Sequence, residues 1–572
     1  MRKAALAVVI AAALVSLHRG LPLGWDELEF FRATKWVSEG RVPFRDFWEH
    51  HTPLQWIAFA PVARFIDSPG ADALIAMRWA QAFVWIAIFA LVLRIGRAEA
   101  RPTSNELNVG WASARPDAAR IWALVLLLAA PLFLRSAIEY RVDVLGHLGF
   151  IAALLCALRG KWIAYGALMS LAVLANMRLA PLVVITSLVF LFWSEERWRF
   201  NPRALRMAIG VAAVAIALFA VLEATHAREA FLLGVVRYNV VSSRLFAGLA
   251  VSTLGEQLLL PALKLDAAAM AMWIAAIAGC VIAFRERRMQ IIAIVFLASV
   301  VTVAMLEVQY EYHWILSYLL MVPPAALAIE RIGRWWWIAP AVAAVGVVTT
   351  FATMTYEPLR YQDYVMREVD RRTRPDEKVF DGSAYALRRE PAYRYWFLPI
   401  GIRQLAAAKS IGGYDIAAHP PAAIVYNLRM QRWFEIFPKT AAFAVHNYVP
   451  LTRDLWVPGL SAILPPGRTL TWTAQRDGAY TLYASEPLAR HPWLTQPLQY
   501  AAIQGPLATR YAIPLRQLPN ARVRWSVDGR SVQLRKGMRV TVASYDTQPV
   551  GVIIAPSDLS ALCTAPGEEF PF

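Results

Sequence analysis

Long apolar stretches recur through the first 355 residues and limit the possible folds more than any other feature. A helix needs about 20 apolar residues to cross the hydrocarbon core of a bilayer. Stretches near that length lie at 3–18, 71–94, 120–135, 143–158, 162–175, 179–193, 205–223, 267–284, 290–306, 313–329 and 335–355. They predict about eleven spans, of which one or two of the shorter ones are re-entrant or merged. Composition agrees, with 58% hydrophobic and only 17% charged residues over 572 positions. A soluble domain is about half apolar and about a quarter charged, so a polytopic α-helical membrane protein is expected.

The first stretch follows Arg2-Lys3 and reads AALAVVIAAALVSL, which also suits a signal peptide. No clear small-x-small cleavage site follows it, so an uncleaved first helix is expected. The net charge of +17 does not point to nucleic acid, because much of the excess sits in short loops between apolar stretches. Basic clusters occupy alternate connections: Arg94, Arg97, Arg101, Arg115 and Arg120, then Arg159 and Lys161, then Arg197, Arg199, Arg203 and Arg206, then Arg285, Arg287 and Arg288, then Arg331 and Arg334. The other connections are acidic or mixed, with Asp26, Glu27, Glu29, Glu39, Asp46 and Glu49 in the first and Glu307 and Glu311 in a later one. The positive-inside rule then places the N-terminus in the cytoplasm and the Asp26 loop outside. Three scattered cysteines, Cys156, Cys280 and Cys563, predict neither a disulfide framework nor a cysteine metal site.

Beyond residue 356 the character changes, and an odd number of spans puts this tail outside as well. Residues 361–373 read as a helix, EKVFDG as a strand, and 423–427 and 441–446 as further strands with a helix between them. From about 466, TLTWTAQ, GAYTLYA, ARVRWSV, SVQLRKG and MRVTVAS alternate apolar and polar residues between turns. That rhythm predicts a small antiparallel β-sandwich. The expected domains are a membrane domain over 1–355 with an outward loop at 19–70, an α/β region over 356–465, and a β-rich module over 466–572.

Chemistry is concentrated in the first outward loop. Carboxylates and histidines where a chain leaves the bilayer are costly to keep dry and often mark function. Asp26-Glu27 and Glu49-His50-His51 are such groups. A carboxylate here can take a proton from an acceptor hydroxyl or amine, while histidine or arginine balances a leaving phosphate. The simpler reading is an amphipathic helix over 26–39 turning its charges to water, since Leu28, Phe31 and Trp36 form an apolar side. Asp26, Glu49 and His50 also form a donor set able to hold a divalent cation, though nothing in their spacing demands one.

The order Asp26-Glu27, a short helix, Gly40-Arg-Val-Pro43-Phe44-Arg-Asp46 and His51-Thr52-Pro53-Leu54 resembles the C-type (GT-C) glycosyltransferases. The nearest groups are the protein O-mannosyltransferase-like and lipid A aminoarabinose transferase-like enzymes. The resemblance implies many spans, an outward catalytic loop and an outward C-terminal domain. It implies inverting transfer of a sugar from a polyprenyl-phosphate carrier to a lipid, glycan or protein acceptor. Asp26 would then be the base, with Glu27 supporting its geometry or the sugar. The chain departs from the family where relatives often carry Lys-Pro-Pro-Leu, because neutral His51 binds phosphate less well than lysine.

Arg141 and Asp143 open the fourth apolar stretch, where the resemblance places a second acidic position near sugar or phosphate; a salt bridge at a helix end explains them equally well. Arg178 suits an anionic headgroup or simple snorkelling. Residues 225–265 form a long connection carrying His226, Arg228, Arg237, Tyr238, Asn239 and Arg244, with Arg237 and Arg244 candidate phosphate clamps and solvated loop charge the simpler reading of each. Tyr310 and His313, followed by Pro323-Pro324, resemble the segment near the carrier in the same superfamily. Taken alone, Tyr310, Tyr312 and Trp314 read as an interfacial aromatic belt, as do residues 335–337. No Walker loop, nucleotide-binding glycine turn or HExxH is present. A transporter or flippase for a lipid-linked or anionic substrate is the alternative, but it predicts inverted repeats and midplane polar residues that are not evident. A bacterial inner membrane is the expected location.

Overall fold

The computed structural model describes residues 21–98, 115–192, 202–239, 266–286, 289–306, 310–332, 337–352, 357–452, 454–485, 512–514, 523–525, 531–544, 550–558 and 561–563. The expected first span, most of the polar loop 98–119, Arg197, Arg199, Arg244, Arg287, Arg288, Glu307, Gln309, Arg334, Trp335 and Trp336 lie outside these described residues. The chain divides into two units. The first comprises Met1–Leu21, Ala33–Ile66 and Leu74–Thr355, and the second Pro22–Arg32, Asp67–Ala73 and Tyr356–Phe572.

The first unit is helical, and the chain is an integral membrane protein. Four described helices are long and apolar enough to cross a bilayer: Asp72–Ile95, Pro202–Ala224, Ala267–Arg285 and Glu311–Arg331. Other expected spans correspond to shorter apolar helices, such as Asp143–Leu158, Trp162–Ala175 and Gln290–Ala304. By length, then, four described helices qualify, against about eleven expected spans. The expected span at 120–135 is broken into helices Arg115–Leu128 and Pro131–Ile138. Proline lacks an N–H and pushes the preceding residue out of helical geometry, and Ala130 is accordingly extended at φ −81°, ψ 111°. Helix Ile315–Arg331 is buried from Ile315 to Ile329 and packs against Ala267–Glu286 and Arg115–Leu128. The Tyr318 ring centroid lies 6.0 Å from that of Trp273 and 6.1 Å from that of Phe133, on helix Pro131–Ile138.

In the second unit, helix Glu357–Arg372 covers the helix expected at 361–373. A five-stranded sheet comes next, built from β1 (Lys378–Asp381), β2 (Glu390–Pro391), β3 (Ala423–Val425), β4 (Tyr448–Pro450) and β5 (Leu455–Pro458) in the order β2-β1-β3-β5-β4. β1 runs parallel to β2 and β3, and β5 pairs antiparallel with both β3 and β4. The strand expected over 441–446 is instead part of helix Pro438–Asn447. Pro438 presets the first helical turn, and a short alanine-rich apolar run carries no period that separates strand from helix.

The β-rich module holds β6 (Leu460–Leu464), β7 (Thr469–Thr473), β8 (Gly478–Ser485), β9 (Ala512–Pro514), β10 (Val523–Trp525), β11 (Ser531–Leu534), β12 (Arg539–Ser544), β13 (Val550–Pro556) and β14 (Ala561–Cys563). They form sheets β10-β12-β7 and β11-β8-β13-β6, with β14 and β9 paired separately. Alternation along β12 sends Val540 and Val542 inward beside Trp472 of β7. These residues meet Leu460, Leu482 and Ile554 of the other sheet in one core.

Candidate catalytic and binding sites

Helix Trp25–Ser38 carries Asp26, the expected base, and Glu27, expected to support its geometry or the sugar. Acidic residues in a first turn are favoured by the positive end of the helix dipole. Glu27 is buried, and its Oε2 accepts the Gly24 N–H at 2.8 Å, tying down the entry to the helix. Asp26 is half-buried, with Oδ1 3.5 Å from Nη2 of Arg429. Sequence reasoning did not single out Arg429. It lies in the first turn of helix Leu428–Ile436, whose N-cap Asn427 accepts the N–H groups of Arg429 and Met430 at 3.0 and 3.2 Å. The guanidinium carbon stands 3.9 Å from the Phe397 ring centroid and 4.8 Å from that of Trp25. One planar cation therefore engages both Trp25 and Asp26.

The remaining elements of the first-loop motif belong to the first unit. Gly40 ends the helix at φ +89°, a left-handed geometry that suits glycine. The Gly40 N–H reaches the Val37 carbonyl and the Arg41 N–H reaches that of Trp36, the paired bonds of a Schellman stop. Asp46 pairs with Arg45 at 2.8 Å and accepts the Val42 N–H at 2.7 Å. Those bonds hold its carboxyl below the ordinary carboxylate value. The Gly–Pro–Phe–Asp segment is thus a turn that stops the helix and orients the next residues of the loop.

Those residues include Glu49-His50-His51. Glu49 is buried, and its Oε1 accepts the His50 N–H at 2.7 Å and lies 3.1 Å from Nδ1 of both His50 and His51. Burial alone would raise the Glu49 carboxyl, but bonds and charge from the two histidines outweigh it and hold the group well below the usual range. Glu49 Oε2 is buried and has no hydrogen-bond partner among the described residues. The ligand atoms of Glu49, His50 and His51 lie within 4.8 Å of one another, a carboxylate and two imidazoles able to hold a divalent cation. Asp26, also a candidate for that role, belongs to the second unit. His50 stacks 5.3 Å from Trp48 and meets Tyr238 edge-on at 5.0 Å, and its carbonyl accepts the Asn239 side chain at 2.9 Å. Tyr238 and Asn239 come directly after a π-helical turn, Leu232–Arg237, at the start of the long connection. Gly234 in that turn is required by close approach, because a Cβ there would stand 2.4 Å from the Glu49 carbonyl oxygen.

Several other candidates join this cluster through the backbone. Thr52 Oγ1 donates to the Ala175 carbonyl at 3.1 Å, and the next residue, Asn176, donates to Asp143 Oδ1 at 2.8 Å. Asp143 Oδ2 accepts from Arg141 Nε at 3.1 Å, and Arg141 Nη1 reaches Glu139 at 3.1 Å. The Arg141 guanidinium also lies 3.4 Å from the Tyr312 ring centroid. Tyr312 stacks on Tyr310 at 5.2 Å, and the His313 Nδ1 accepts the Tyr310 N–H at 3.2 Å. His50, His51, Arg141, Asp143, Tyr310 and His313 are therefore linked in one unit. Arg178 and Arg237 are exposed, and neither side chain makes a described hydrogen bond or ion pair.

No family model and no curated protein matches the chain. Among solved structures, it is similar to ArnT from Cupriavidus metallidurans bound to undecaprenyl phosphate, with 13% identity and a TM-score of 0.44 over 80% of this chain and 92% of that one. It is similar to the apo form of the same protein, with 14% identity and a TM-score of 0.49 over 79% and 96%. A third similarity is to the Archaeoglobus fulgidus oligosaccharyltransferase tethered with an acceptor peptide containing the NVT sequon, with 12% identity and a TM-score of 0.41 over 78% and 72%.

Proposed function

We propose that this membrane protein is a C-type glycosyltransferase that moves a sugar from a polyprenyl-phosphate carrier to a lipid, glycan or protein acceptor, with inversion. The observation that carries the reading is Asp26, a half-buried carboxylate in the first turn of its helix beside Arg429. Asp26 takes the proton from the acceptor hydroxyl or amine as that atom attacks the sugar's anomeric carbon. The bond from that carbon to the carrier phosphate breaks, and the phosphate leaves with the electron pair. Glu27 holds the helix entry in place. Arg141, Arg178 and Arg237 of the first unit, or His51, are proposed to stabilise the phosphate as it leaves. Tyr310 and His313 are proposed to lie near the carrier, and Asp143 near the sugar. In this reading the chain has about eleven spans, a cytoplasmic N-terminus and an outward C-terminal region in a bacterial inner membrane.

The test is transfer from a panel of radiolabelled polyprenyl-phosphate sugars in membranes, comparing wild type with Asp26→Asn. Loss of a general base costs about 10²- to 10⁴-fold in rate. A fall of that size in a normally expressed variant supports the assignment and names the donor. Undiminished transfer moves the base to Glu27 or Asp143. Carrier movement across the bilayer without transfer from any donor puts the flippase first.

A further inference from the structure

We infer that Arg429 is the positioning residue for the proposed base, holding Asp26 ionised and in one orientation. This deepens the assignment of Asp26 as base and rests on it. Two arginines of the same unit show how a structural arginine is held here. Arg389 is buried and fully engaged, bonding the Thr373 hydroxyl at 2.9 Å, the carbonyls of Thr373 and Asp370 at 2.7 Å each, and the Asp370 carboxylate at 2.7 Å. Arg476 forks onto Glu377 at 2.7 Å from both Nε and Nη2, and donates to the Arg372 carbonyl at 2.7 Å.

Arg429 is different. Its side chain is only 9% exposed, yet Nη1 is buried with no hydrogen-bond partner among the described residues. Burying a guanidinium without saturating its donors is costly, so the placement is poor as a stabilising device. What the guanidinium does have is the Asp26 carboxylate at one edge and the Trp25 and Phe397 rings beside it. The exposure of the pair is also asymmetric, since Asp26 keeps 33% of its side chain accessible.

Helix Trp25–Ser38 carries several other charged groups near its start. Glu27 and Glu29 follow Asp26 on its own helix, whereas Arg429 on helix Leu428–Ile436 is a cation at its side. Arg32, further along the same helix, is committed to the Arg389 carbonyl and to the Trp396 face. An opposite charge at this range favours the ionised carboxylate. The contact runs from one guanidinium nitrogen, Nη2, to one carboxylate oxygen, Oδ1.

The experiment compares Arg429→Gln, Arg429→Ala and Arg429→Lys with wild type in purified full-length protein, using the donor that the panel identifies. Misplacing a catalytic group by about an ångström costs up to about 100-fold, so Arg429→Gln is expected to lower kcat by about 10- to 100-fold. KM for donor and acceptor should stay within about twofold, because neither is bound by Arg429. Added guanidinium ion should restore part of the kcat of Arg429→Ala, and Arg429→Lys should retain more kcat than Arg429→Gln. Arg432→Gln, which removes an exposed cation of the same helix paired with Glu435, should leave kcat unchanged. An unchanged kcat in Arg429→Gln alongside an inactive Asp26→Asn overturns the inference and leaves the base assignment standing. A kcat loss that tracks a lowered melting midpoint, with no guanidinium rescue, makes Arg429 structural and also overturns it. Full activity in Asp26→Asn overturns both.

Discussion

Arg429 and Asp26 are 403 residues apart in the chain and 3.5 Å apart in the fold. The contact makes the C-terminal sequence part of the setting of the proposed base. It depends on an ordinary local device, the Asn427 cap that sets the first turn of the helix bearing Arg429.

A divalent cation should stabilise the protein through Glu49, His50 and His51. The ligands would be the Glu49 carboxylate and the neutral imidazoles of His50 and His51. Zinc or manganese at about 100 times its Kd should stabilise the folded state by about 2.7 kcal/mol, seen as a raised melting midpoint in detergent. Glu49→Gln should abolish the rise. A wild-type midpoint indifferent to both metals counts against the site.

Arg141 and Asp143 are each only 5% exposed, so removing one partner strands the other. Arg141→Leu is expected to cost about 3–5 kcal/mol of stability. The double variant Arg141→Leu/Asp143→Leu should recover most of that loss, because no unpaired charge is left buried. Unfolding in a mild detergent series measures both. A double variant as unstable as the single one would falsify this account of the pair.

Gly234→Ala should displace the turn that carries Glu49, since the added Cβ meets a backbone oxygen that has no flexible end to swing aside. The expected cost is about 1–3 kcal/mol. Gly234→Val should cost more. Amide exchange of His50 and His51 would show whether the disturbance reaches that turn; wild-type protection in both variants argues against it.

Asp381 at the end of β1 should make stability depend on acidity. Burial pushes its carboxyl above the ordinary 3.8, against the Ala386 and Ser383 N–H groups that favour ionisation. A carboxyl raised on folding contributes stability that is complete below pH 3.8 and is lost as pH rises through the folded value. Asp381→Asn has no such proton to lose. The wild-type midpoint, measured relative to this variant, should therefore fall as pH rises from below 3.8. Parallel curves for the two proteins would rule the effect out.

Much of the architecture was legible because it depends on local periodicity. Apolar runs such as 205–223 and 267–284 announced their helices directly. Strict alternation in MRVTVAS announced β12 and the face it buries. Legibility failed where the local signal was ambiguous or overridden. Residues 441–446 are apolar and short, and the helix formed there takes its start from Pro438. The expected span at 120–135 looked continuous in hydropathy, yet Pro131 divides it for stereochemical reasons that hydropathy does not register.

The candidate site divides along the same line. By itself the sequence determined that carboxylates and histidines cluster beside the first apolar stretch, because charge beside a bilayer stands out in composition. It also marked Arg141, Asp143, Tyr310 and His313, but could not say whether each faced a substrate, a salt bridge or the interface. Tertiary structure decided that these four, with His50 and His51, are joined through Asn176, Thr52 and Tyr312. It alone brought Arg429 to Asp26. A contact between residues hundreds of positions apart leaves no period, spacing or motif in either segment, since it is created only when folding brings the helix that carries Arg429 to the helix that carries Asp26.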